Sequence, residues 1–282
     1  MESQQGGSTA SGMMMPPIIY GTAWKKQQTA DLVEQAVSSG FRGIDTACQP
    51  KHYNEQLVGV ALKRVQEKGI KRDRLFLQTK FTPLAGHDPH NIPYDKNAPL
   101  EQQVEQSFAV SLKNLQTEYV DSLLLHSPFG PYSALMSGWR AMEAIQQSGG
   151  TRQLGICNCY DLSLLKALYA DAAVKPAIVQ NRFYRETGFD IALRRWCSEK
   201  GIVYQGFWIL TANPHILANT TVQTMAGKYG KTEAQLLFRY LNQLNVVPLT
   251  GTSSIQHMQQ DLDLFDFTLT DRELELVSYL LT

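Results

Sequence analysis

Three short apolar runs in this chain each stop on a residue able to hold or move a proton. Gly43-Ile44-Asp45 ends on a carboxylate, Leu75-Phe76-Leu77-Gln78-Thr79-Lys80 on an ammonium, and Asp121-Ser122-Leu123-Leu124-Leu125-His126 on an imidazole, just ahead of Ser127-Pro128. Burying an unpaired charge at a strand end is expensive, so Asp45 requires a cationic partner from elsewhere. An acid, a base and a histidine carried to the carboxyl ends of strands is the pattern of a parallel barrel, where such ends hold the chemistry. Between Asp45 and a helix starting near Asn54 lies a polar loop that adds Lys51, His52 and Tyr53.

The remaining chain divides into strand-then-helix units that would position these groups. A first strand is expected over 18–23 and a helix over 31–39, with Leu32, Val33, Ala36 and Val37 on one face and Gly40 as its C-cap. The second strand leads into a helix over 54–67, and the third covers 75–79. A Pro-, Gly-, His- and Asp-rich loop over 81–99 follows, long enough to read as a lid or a wall of a binding site. Its His87, Asp88 and His90 invite a metal reading, but without a fourth ligand they read as solvated surface residues.

Leu100, Val104, Phe108, Leu112 and Leu115 mark one face of the next helix. Further helices are expected over 134–147, after Asp161 as a cap (Leu162, Leu165 and Leu168 inward), and over a stretch whose buried face is Phe189, Ala192, Leu193 and Trp196. Others follow over 221–228, 232–243, from Ser254, and over 274–281. The intervening strands cover 153–157, 177–180, 202–207 and 246–249. Eight such units without a break in composition argue for one closed (β/α)8 TIM barrel over 13–282. Residues 1–12, rich in Gly, Ser and Gln, read as a disordered tail.

Composition narrows the function classes. The chain has 282 residues, 43% of them hydrophobic, and 26 basic residues balance 26 acidic ones. That balance gives no field favouring nucleic acid or an anionic membrane surface. No apolar run is of membrane-spanning length and no secretory signal is visible, which points to the cytoplasm. Cys48, Cys157, Cys159 and Cys197 form no Cys-x-x-Cys pair and read as reduced packing residues. A metal-dependent barrel hydrolase would need a fuller His and carboxylate cluster than Asp45 and His126 provide, so no metal is expected.

With Asp45, Lys80 and His126 on strands two to four, the chain resembles the aldo-keto reductases from Gly21-Thr22 to the last helix. The likeness is carried by Asp45-Thr46-Ala47 followed by Tyr53-Asn54-Glu55, Thr79-Lys80, Leu124-Leu125-His126, Gly155-Ile156-Cys157-Asn158, Val179-Gln180-Asn181 and Val247-Pro248. It is nearest to a shorter subgroup whose loop reads as Cys48 to Glu55 do here. The resemblance implies a catalytic tetrad of Asp45, Tyr53, Lys80 and His126. Tyr53 would protonate the carbonyl oxygen, made more acidic by Lys80, while Asp45 pairs with the lysine and His126 aligns the oxygen. The loop is two residues longer than the family's, and counting back from Glu55 puts His52 in the tyrosine slot, as a competing donor.

The resemblance further implies a nicotinamide dinucleotide, NADPH rather than NADH although NADH is not excluded, laid across the barrel mouth. The lack of a Gly-x-Gly-x-x-Gly motif fits that non-Rossmann mode. Asn158 and Gln180 would hold the carboxamide and Phe207 would stack on the nicotinamide. Thr22, Leu210, Leu249, Thr250, Thr252, Ser253, His257 and Asp261 complete the cofactor set, with Leu249 and His257 where the family carries a lysine and an arginine. Larger members continue past the last helix, so a short or absent C-terminal substrate loop would leave an open pocket walled by Trp24, Tyr94, Phe129 and Trp208. The expected partner is a small-molecule carbonyl compound, and the expected state a monomer or weak homo-oligomer. A regulatory module of the same fold that binds the cofactor with little turnover is the alternative.

Overall fold

The computed structural model describes Gly12 and residues 14–281, so the tail expected over 1–12 lies, Gly12 apart, outside the described residues. In chain order the elements begin with β1 (Ile19–Gly21), α1 (Thr29–Ser39), β2 (Gly43–Asp45), α2 (Glu55–Glu67), β3 (Phe76–Phe81), α3 (Leu100–Leu115), β4 (Val120–Leu125) and α4 (Tyr132–Gln147). They continue with β5 (Thr151–Cys157), α5 (Leu162–Asp171), β6 (Ile178–Arg182), α6 (Ile191–Glu199), β7 (Val203–Phe207), α7 (Pro214–Leu217), α8 (Thr220–Tyr229) and α9 (Glu233–Gln243). β8 (Val246–Thr250), α10 (Ile255–Leu262) and α11 (Asp271–Tyr279) complete the chain. Among the described residues the eight strands run parallel and close in sequential order, β1 pairing with β8. This is the expected (β/α)8 barrel.

Strand pleating explains how the barrel carries its site. Side chains alternate faces along a strand, so on β3 Phe76, Gln78 and Lys80 share the inward face, as do Ile178, Gln180 and Arg182 on β6 and Val203, Gln205 and Phe207 on β7. Each inward row climbs from an apolar residue through a glutamine to a residue at the mouth. The apolar floor is a cluster of Met15, Ile19, Phe76, Leu124, Ile178, Val203 and Val247. Above it lies a buried amide layer in which Gln78 and Gln180 donate to Gln205, and both donate to Asp45. The larger core, with Val33, Val37, Val58, Leu77, Val104, Leu123, Trp139 and Leu165, fills the space between strands and helices.

Several expectations shift by a residue or two. β3 and β6 run on through Lys80–Phe81 and Asn181–Arg182, because the hydrogen-bonded ladder continues after the apolar pattern has ended. Ala192, expected inward, is exposed, and the buried face of α6 is Leu193 with Cys197. His87 is also not on the surface: it is buried against Tyr94, with Nε2 2.9 Å from the Thr82 carbonyl.

Helices α2 and α3 touch at Gly59, where a Cβ would collide with the Asn114 carbonyl oxygen and lie 3.1 Å from the backbone carbon of Leu115. Gly59→Ala therefore forces two helices apart. Its expected cost is about 1–3 kcal/mol, read as a melting temperature lowered by roughly 3 °C or more; an unchanged melting curve would show that the helices slide freely.

Candidate active site

Asp45 ends β2 inside the barrel, 3% exposed, and its carboxylate is met by side chains of β3 and, across the barrel, of β6. Lys80 Nζ lies 2.7 Å from Asp45 Oδ1 and 2.6 Å from Oδ2 and donates a third bond to the Thr46 carbonyl at 2.9 Å. Gln78 and Gln180 each donate to Oδ1, at 2.7 and 3.0 Å. This answers the partner Asp45 required: a buried ion pair whose remaining valences are met, as such pairs must be. Burial pulls the Lys80 ammonium down, but Asp45 and Tyr53 outweigh it and the net direction is up, so the lysine stays charged.

Tyr53 comes next to that charge through a single turn. The Tyr53 and His52 N–H groups both return to the Gln49 carbonyl, at 3.0 and 3.2 Å, and Asn54 then caps α2 by accepting from the Leu57 N–H. The turn sends the two side chains different ways. It leaves the Tyr53 ring centroid 5.2 Å from Lys80 Nζ and 5.9 Å from the His126 ring. His52 goes the other way and packs on Trp24, with ring centroids 4.0 Å apart. The expectation of an acidified phenol is only half met: burial raises Tyr53, Lys80 lowers it, and the outcome in the free protein is a rise to about 12.

His126 follows β4. Burial, then the neighbouring Lys80 charge, holds its imidazole well below the usual histidine range, so the ring is neutral. Thr82 Oγ1 sits 2.7 Å from Nδ1. With the Thr82 hydroxyl donating there, Nε2 carries the proton and is free to donate into the cavity. Thr82 is itself held through its carbonyl, which accepts from Tyr94 Oη and His87 Nε2, both at 2.9 Å.

These groups open into a cavity of about 770 Å³ that runs from Tyr53 and His126 past Asn158, Phe207 and Leu210 to Leu249, Thr250, Thr252, His257 and Asp261. Of the residues expected to hold a dinucleotide, these line it and two do not. Thr22 is fully buried behind the wall, donating to the Asp45 carbonyl, and Ser253 faces solvent. Gln180 reaches the cavity, yet its amide is engaged by Asp45 and Gln205, and its oxygen accepts from Cys157 Sγ at 3.4 Å. Asn158, in the left-handed region at φ 56°, donates to the His126 carbonyl. Asp261, pushed by burial up to about 6, accepts from Thr250 Oγ1 at 2.7 Å.

Of the four aromatic wall residues expected, Trp24 and Trp208 line the cavity and are about half exposed. Tyr94 and Phe129 do not: Tyr94 is buried against Phe81 and His87, and Phe129 packs over Gly138. Sequence reasoning missed Thr82, Gln49, Arg182, Ile209, Thr211 and Gln260 in the wall, and Lys25, whose ammonium donates to the Gly251 carbonyl beside it. The inward alternation along β3 and β6 was a usable signal for Gln78 and Arg182; nothing local marked Lys25 or Thr82. Among the described residues no group of three or more His, Cys, Asp or Glu could hold a metal ion, and no helix is long and apolar enough to cross a membrane.

Comparison with known proteins matches the chain and its barrel. Residues 10–281 match the Aldo/keto reductase family. The chain belongs to that family. Among its relatives are the aldo-keto reductase family 1 member A1 of Xenopus tropicalis, 28% identical over 96% of this chain and 86% of the relative, and the NAD/NADP-dependent indole-3-acetaldehyde reductase of Schizosaccharomyces pombe, 29% identical over 94% of this chain and 92% of the relative. An aldo/keto reductase crystal structure from Brucella melitensis superposes with a TM-score of 0.81 at 25% identity, covering 97% of this chain and 98% of that one. An aldo-keto reductase from a deep-sea metagenome library gives 0.82 at 26% identity, covering 96% and 93%. Membership makes this chain an NAD(P)H-dependent carbonyl oxidoreductase.

Proposed function

We propose that this reductase converts an aldehyde or ketone to its alcohol with NADPH as hydride source and Tyr53 as proton donor. The observation that carries the reading is the approach of the Tyr53 ring to both Lys80 Nζ and His126, while His52 stacks away on Trp24. When bound, the dinucleotide supplies a hydride to the carbonyl carbon. Everything else falls to side chains. His126 Nε2–H and the Tyr53 hydroxyl converge on the carbonyl oxygen, aligning it and meeting the negative charge that grows there. Tyr53 then gives up its proton, and the phenolate formed is met by the Lys80 ammonium, held in place by Asp45.

The cavity residues suit an extended dinucleotide at both ends, with Asn158 and Phe207 near the reacting centre and Thr250, Thr252, His257 and Asp261 at the far side. Lys25, beside Gly251, would supply the positive charge that Leu249 withholds, which favours NADPH over NADH. Loss of NADPH absorbance with a panel of aldehydes tests the reading. No oxidation above background with any of them, despite measurable dinucleotide binding, would instead favour a cofactor-binding module without turnover.

Thr82 offers a finer test. Thr82→Val removes the donor to His126 Nδ1 and frees the ring to adopt the wrong tautomer. Steady-state kcat/KM is expected to fall about tenfold, while Thr82→Ser keeps the wild-type rate and both variants bind NADPH normally. Equal rates for valine and serine would remove the tautomer argument.

A further inference from the structure

Among the described residues Arg182 is the one lining the cavity that carries a fixed positive charge, and the partners that meet it there are aromatic rings. It sits one pleat above Gln180 on the inward face of β6 and pairs in register with Phe207 on β7. Its guanidinium carbon lies 4.2 Å from the Trp208 ring centroid and 5.0 Å from that of Tyr184. Among the described residues no carboxylate pairs with it, and Nε, shut off from solvent, has no hydrogen-bond partner. Trp208, for its part, is 47% exposed and holds a left-handed backbone at φ 59°. A bulky side chain kept in that conformation at a cavity rim is a mark of function rather than of packing.

These features belong together. A guanidinium against an aromatic face is held flat, and with Nε buried it is the terminal Nη1/Nη2 edge that would take an oxyanion through two parallel bonds. We propose that Arg182, braced by Trp208, is an anion subsite at the rim of the cavity, taking a carboxylate or phosphate oxygen. It rests on the functional reading above and extends it, since the anion belongs either to the carbonyl substrate or to the pyrophosphate of the dinucleotide. A substrate source means that the preferred carbonyl compounds are acidic.

The experiment compares wild type with Arg182→Gln and Arg182→Lys, using 4-carboxybenzaldehyde and the uncharged 4-methylbenzaldehyde as substrates, with NADPH and benzoate titrated by tryptophan fluorescence. If the anion is the substrate's, Arg182→Gln loses at least about tenfold in kcat/KM for the charged aldehyde, keeps the neutral one within about twofold and binds benzoate more weakly. If it is the pyrophosphate, the NADPH dissociation constant rises about tenfold and both aldehydes suffer alike. Arg182→Lys keeps the charge without the fork and falls between wild type and glutamine in whichever arm responds, which also covers a glutamine variant that does not fold. Aldehyde rates, benzoate binding and NADPH binding all unchanged would overturn the proposal and leave Arg182 as a packing partner of Trp208. The two titrations need no turnover, so a protein inactive toward every aldehyde would defeat the catalytic reading without deciding this one.

Discussion

Tyr53→Phe is expected to lower kcat for aldehyde reduction by about 10²- to 10⁴-fold while leaving the fold and NADPH affinity intact. The substitution takes one oxygen from a ring whose position is set by the turn on Gln49 and by its contacts with Lys80 and His126. Only the proton donor goes. His52→Gln is the matched control: it disturbs the stack on Trp24 and costs less than about tenfold, chiefly through KM. A reversed order of effects would move the proton to His52. The pH dependence carries the same information. With the phenol near 12 and the His126 imidazole well below its ordinary 6.5, neither group changes charge near neutrality. The kcat profile for reduction at saturating NADPH, which removes any effect of Asp261 on dinucleotide binding, should therefore lack an inflection near 6.5, and a kcat that fell as pH dropped through that value would mean a histidine titrates in the reaction.

Lys80→Met should be the more damaging change, because it acts on both chemistry and stability. Without the ammonium nothing offsets the charge that forms on Tyr53, and kcat falls at least as far as in Tyr53→Phe. The same change strands the Asp45 carboxylate inside the barrel, with only the amides of Gln78 and Gln180 still donating to it. Removing one partner of a buried pair costs roughly 3–5 kcal/mol, which denaturant melts would resolve. Asp45→Asn combined with Lys80→Met should regain much of that stability and none of the activity. Recovery of rate in the double variant would show that the lysine is needed only to neutralise Asp45. The sign of the pH effect follows from the direction of the shift. Lys80 is raised above its ordinary 10.5, so what the pair adds to stability is fully present below that value and is lost only as pH rises beyond it.

The strand ends were legible because a charge closing an apolar run has no local reason to be there: Asp45, Lys80 and His126 stood out for that alone. The helix starts near Asn54 and Thr232 and the cap at Asp161 were equally local, each of the three side chains accepting from a helix N–H two or three residues on. The wall of the cavity was harder. Tyr94 and Phe129 looked like wall residues because aromatic rings in loops near a mouth often are, yet the loop after β3 folds inward and uses Tyr94 and His87 to hold Thr82. Thr22 and Ser253 sat at the right points in the chain, but one points behind the sheet and the other out to solvent.

The sequence alone determined the barrel and set Asp45, Lys80 and His126 at the ends of its strands, since pleat period, helix period and unpaired charge are properties of neighbours in the chain. Only the tertiary structure decided whether Tyr53 or His52 meets Lys80, that glutamines from β3, β6 and β7 brace Asp45, and that Arg182 is left facing the cavity. Those outcomes depend on the path of one turn and on contacts between strands far apart in the chain, 127 residues at Gln78 and Gln205 and 135 at Asp45 and Gln180. Contacts over such separations are set by closure of the whole barrel, and no local pattern encodes them.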